Sequence, residues 1–158
     1  MILYTIGLLT TYFFMSGCNA DTEYADDAVT VFKNIPRNLI SGAALGGALG
    51  YPTLNILSGG NIMKEDLYIS LPSWLGGAVS KGYKNIYNNN SFVTGLGSGI
   101  GTFITMLLEL YQGHDGVDIV IILSLLFSTP SYIGSTLGDI VEEKYFVKNR
   151  IETNKYHT

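Results

Sequence analysis

Gly42, Gly46 and Gly50 stand four residues apart within Asn38 to Met63, a run of 26 residues without one charged side chain. An uncharged run of this length suits a bilayer-crossing helix. Glycine at every fourth position gives such a helix a stripe without side chains, against which another backbone packs closely. Gly95 with Gly99, Gly97 with Gly101, and Gly134 with Gly138 repeat the spacing further along. The pattern predicts an all-α, polytopic membrane helix bundle of three to four spans with glycine-zipper packing.

Composition points the same way. Of 158 residues only 14% are charged, against about 25% in average soluble domains, and the mean hydropathy is +0.27. The 19 glycines suit crowded membrane helices better than a soluble core, where glycine costs backbone entropy. A net charge of -4 and the lack of a basic patch with interleaved aromatics argue against nucleic acid. One cysteine excludes an intrachain disulfide and a cysteine-based zinc cluster.

Residues 1–18 read as a signal peptide or a first transmembrane helix, and residues 19–37 as an acidic linker with a short interfacial segment broken at Pro36. A glycine-rich membrane domain spans 38–140, with segments near 38–63, 67–80, 92–110 and 118–138, and a basic polar tail fills 141–158. The second segment has 14 uncharged residues, which suits a tilted helix or a re-entrant hairpin. Ser41–Gly46 matches Thr94–Gly99, and Pro72-Ser73-Trp74-Leu75-Gly76 matches Pro130-Ser131-Tyr132-Ile133-Gly134. These matches occur in the same order, as in a chain made of two related hairpins. Tyr51, Tyr68, Trp74, Tyr83, Tyr87 and Tyr111 lie near segment ends, where amphipathic rings anchor at headgroups.

The apolar start followed by Met15-Ser16-Gly17-Cys18 resembles the signal peptide and lipobox of bacterial lipoproteins, although its n-region has no Lys or Arg. The resemblance implies cleavage before Cys18, lipidation of its thiol, and a bacterial-type cell membrane or envelope. An uncleaved first helix is the alternative. The nine basic residues allow two topologies. Four spans starting inside put eight of nine in the cytoplasm; a start outside, after a lipidated Cys18 and with a re-entrant second segment, puts seven there.

Glu109, His114, Asp115 and Asp118 form the one dense titratable cluster; it could bind a metal or pass protons, but with no second His at ligand spacing it reads as a polar turn bracketed by Gly113 and Gly116. Gly95 to Gly101 lacks the lysine of a phosphate loop, and no Gly-x-Ser-x-Gly elbow exists. No catalytic residue, metal site or cofactor is expected. The leading expectation is a small non-enzymatic membrane protein acting by helix assembly, as a membrane-complex subunit or homo-oligomer. Immunity and superinfection-exclusion proteins share this size and general type, though no residue pattern identifies them here. The alternative is an envelope lipoprotein held by Cys18, and a third is a proton- or ion-conducting element. The expected partners are the lipid bilayer and a second copy or another membrane protein.

Overall fold

The computed structural model describes residues 22–113 and 116–147. Within them lie five α-helices: α1 (Thr22–Asn38), α2 (Gly42–Leu57), α3 (Lys64–Tyr87), α4 (Phe92–Tyr111) and α5 (Val117–Val141), the last running into a π-helical stretch, Glu142–Val147. The described residues contain no strand. The all-α expectation holds.

Local chemistry sets the boundaries. Pro36 does not break α1 as expected: the helix carries through its last turn to Asn38, and the Leu39 N–H still donates to the Ile35 carbonyl (3.0 Å). The break falls at Ser41, whose hydroxyl accepts from the Ala44 N–H (3.3 Å) and so caps α2. Gly59, at φ +81°, then takes the left-handed conformation that favours glycine and turns the chain. Asp66 caps α3 by accepting from the Met63 N–H (2.8 Å), and Asn55 Nδ2 donates to the same carboxylate (3.2 Å). The second segment is thus neither a hairpin nor short, since α3 is one helix of 24 residues. Left-handed Asn88 ends it.

α2 to α5 form an antiparallel bundle in which each helix packs on two neighbours: α2 on α3 and α5, and α4 on α3 and α5. α1 runs antiparallel to the last turns of α3. Val31 is buried close to Gly82, the Asn38 amide donates to the Ala78 carbonyl (3.2 Å), and the Tyr87 hydroxyl bonds Asp27 (2.8 Å).

The bundle's polarity is reversed relative to a water-soluble one. Ser73, Thr94, Ser98, Thr102, Ser124, Ser131 and Ser135 are fully buried, while Leu45, Leu49, Ile100, Ile122, Leu126 and Leu137 are exposed. The interior hydroxyls bond helix carbonyls, as Ser73 does to Gly47 (3.0 Å) and Ser98 to Ser73 (2.9 Å), or one another, as Thr102 does to Ser131 (2.9 Å). No buried side-chain polar atom among the described residues lacks a partner. Among the described residues two helices, Phe92–Tyr111 and Val117–Tyr145, are long and apolar enough to cross a membrane. α2 is shorter, at 16 residues, and α3 carries charges near both ends.

Candidate functional site

The buried stripe of α3 runs Ser73, Gly77, Ser80 and then, in the same helical register, Lys81 and Lys84. The stripe of α5 runs Ser124, Ser128, Ser131, Ser135 and then Asp139. Both stripes therefore end in charge at the same end of the bundle. The Lys81 ammonium bonds Asp139 Oδ1 and lies 3.7 Å from Glu142 Oε1. Lys84 Nζ reaches Asp139 Oδ2 (2.6 Å), Ser91 Oγ (3.1 Å) and Glu143 Oε1. Asp139 is 0% exposed, and the lysine side chains 8% and 7%. Glu142 also accepts from the Gly42 N–H (2.6 Å), placing a carboxylate on the free N–H groups that begin α2.

This cluster lets α3 turn its charges inward. Its outer face keeps Leu67, Leu71, Leu75 and Tyr83 exposed while Lys81 and Lys84 are neutralised inside. The sequence reading missed the cluster because both lysines follow the uncharged segment near 67–80 and counted there only as cytoplasmic charge. The available signal was Lys81 with Lys84 at i, i+3, and Asp139 with Glu142 and Glu143 at i, i+3, i+4.

The singled-out glycines lie at helix crossings within the chain. A Cβ on Gly42 would strike the Gly138 carbonyl (2.8 Å from its carbon), one on Gly46 the Gly134 carbonyl (2.8 Å), and one on Gly50 the Pro130 carbonyl (2.7 Å). Gly134 and Gly138 meet the Gly46 and Gly42 carbonyls in return. Gly95 faces Tyr132 and Thr136, and Gly99 has looser contact with Tyr132 (3.3 Å). Gly76, Gly97 and Gly101 make equally close crossings between α3 and α4.

Cys18, His114, Asp115 and the tail beyond residue 147 lie outside the described residues. Glu109 and Asp118 are exposed on separate helices. Among the described residues no three His, Cys, Asp or Glu side chains group closely enough to hold a metal ion. Trp74 lies inside α3 and donates Nε1–H to the Leu39 carbonyl (2.7 Å), tying the α1–α2 junction to the bundle.

No protein-family model, curated protein or solved structure matches this chain.

Proposed function

We propose that this is a four-span integral membrane protein of non-enzymatic type, which acts through helix association inside the bilayer as a component of a membrane assembly. The reversal of polarity carries the reading. Large aliphatic side chains outside and hydroxyls inside are unfavourable in water, where exposed apolar surface costs about 25 cal/mol per Å², and favourable in lipid, where small residues and interhelical hydrogen bonds hold helices together. The inward lysines support counting α3 as a span, since they leave an apolar face from Leu67 to Tyr83. The closed, hydrogen-bonded interior favours a packing role over conduction.

Orientation follows from the basic residues. Lys33, Arg37, Lys81, Lys84 and Lys144 belong to one end of the bundle and Lys64 to the other, with Glu65, Asp66, Glu109 and Asp118. The first end is assigned to the cytoplasm. That orientation puts α1 in the cytoplasm and is incompatible with a lipid on Cys18, so the intact mass of the purified protein is expected to show no acyl addition. In a Cys18→Ser background, Asn61→Cys and Gln112→Cys are expected to react with an impermeant maleimide on intact cells, and Asn89→Cys only after permeabilisation. Labelling of Asn89→Cys together with Gln112→Cys in intact cells overturns the four-span arrangement.

A further inference from the structure

The contacts of the bundle repeat when α2 is exchanged with α4 and α3 with α5. The Gly46–Gly134 crossing has its counterpart in Gly97–Gly76, and the Gly50–Pro130 crossing in Gly101–Pro72. α2 positions map 51 residues onward into α4, and α3 positions 58 residues onward into α5 and the π-helical stretch that continues it. Contacts not used to set that register obey it. Gly77 abuts the Ala43 carbonyl (a Cβ would lie at 2.9 Å), and its counterpart Ser135 donates to the carbonyl of Ala43's counterpart, Thr94 (3.0 Å). The extra seven residues of the second hairpin lengthen α4 and α5 at the end opposite the ion cluster. The Gly42–Gly138 crossing lacks a close counterpart because Val93 and Ser80 occupy the matching positions.

Two contacts map onto themselves and so mark the axis of the repeat. One is Gly47 against Ser98, in the middle of the bundle; the other is Lys81 against Asp139. Lys84 and Glu142 are likewise counterparts. At equivalent positions the first hairpin thus carries two cations and the second two anions.

We infer that the two hairpins present the same interaction surface in opposite charge, so that each hairpin fits the other half of the chain and rejects a copy of itself. Two first hairpins packed in this geometry bring Lys81 against Lys81 on the axis; two second hairpins bring Asp139 against Asp139. Either places like charges in a site that is more than nine-tenths buried, where an unpaired charge is strongly disfavoured. The 76–97 and 46–134 crossings discriminate poorly by contrast, because their contacts are nearly the same; the 42–138 crossing adds a steric bar against two second hairpins alone, since they would set Val93 against Gly138. Charge therefore selects the partner, and the bundle closes within one chain. A single polar pair that fixes partner choice has the same logic in coiled coils. The inference rests on the bundle geometry and not on the proposed membrane role.

Charge exchange in the full-length protein tests it. K81D/K84E makes both hairpins acidic and D139K/E142K makes both basic; each is expected to lose the compact monomer and to unfold at a much lower transition temperature. The fourfold variant K81D/K84E/D139K/E142K restores opposite signs and is expected to regain at least half of the lost transition temperature. Should it melt no higher than the better half-variant, the charges do not act as a complementary pair and the inference falls. The variant K81M/D139L/K84M keeps the shape without the sign. It is expected to remain helical but to populate dimers or larger species by native mass spectrometry; a strictly monomeric protein overturns partner selection by charge.

Discussion

Gly46→Ala is expected to destabilise the bundle, although alanine is the better helix former. On an unconstrained helix the exchange gains about 1 kcal/mol. Here the new Cβ runs into the Gly134 carbonyl, with its carbon at 2.8 Å and the Ser135 nitrogen at 3.3 Å. Those atoms belong to a backbone and cannot rotate away, so α2 and α5 must separate. Separation also weakens the neighbouring Gly42–Gly138 and Gly50–Pro130 crossings. The expected loss lies at or above the upper end for an overpacked core, about 3 kcal/mol, and Gly46→Leu is expected to prevent formation of the native bundle. Gly99→Ala supplies the graded comparison: its nearest neighbour is the Tyr132 Cβ at 3.3 Å, which a small shift accommodates. Leu45→Ile, on an exposed position, controls for hydrophobicity. Thermal unfolding in detergent and in nanodiscs reads all four. A stability gain from Gly46→Ala would mean that α2 and α5 do not touch at this crossing.

The sequence made the glycine stripe legible because close backbone approach has a one-residue signature: the missing Cβ recurs every turn. It did not show which backbone approaches. Gly42, Gly46 and Gly50 fit any partner with a bare face, and only the folded chain pairs them with Gly138, Gly134 and Pro130. The repeat was legible through Pro72 and Pro130, whose neighbourhoods match in the register the contacts follow. Its glycine half was displaced: matching Ser41–Gly46 to Thr94–Gly99 implies a shift of 53, whereas the crossings give 51. Glycines two apart in Gly95–Gly101 allow either alignment, and only side chains with shape or charge could choose. The ion cluster was hidden for another reason. Hydropathy scores a lysine as a span boundary whichever way it points, yet Lys81 and Lys84 continue the stripe of Ser73, Gly77 and Ser80. Reading that stripe by face, rather than by average, extends α3 by two turns and places its lysines inside.

Asp139→Ala is expected to cost about as much as any substitution outside the glycine crossings. It removes the group that both lysines share and leaves their ammonium groups with Glu142 and Glu143, of which the nearer oxygen to Lys81 is 3.7 Å away. Breaking a buried ion pair from one side costs about 3–5 kcal/mol, because the remaining charge stays in a poor dielectric. The native pairing itself stabilises far less, since desolvation of three charges offsets most of the attraction. These two statements predict opposite signs for two variants. Asp139→Ala should lower the unfolding transition sharply, while the apolar replacement K81M/K84M/D139L should leave the transition close to that of the native chain or raise it. Glu143→Gln belongs to the same comparison: the Glu143 side chain is 49% exposed, and an exposed partner contributes at most about 1 kcal/mol. Ranking the three by unfolding midpoint at one pH and salt concentration separates charge burial from lost packing. If Asp139→Ala and the apolar replacement destabilise equally, the loss comes from the shape of the cluster and not from its charge. Equal loss would also remove the reason for the lysines to face inward, and with it the apolar outer surface on which α3 counts as a span.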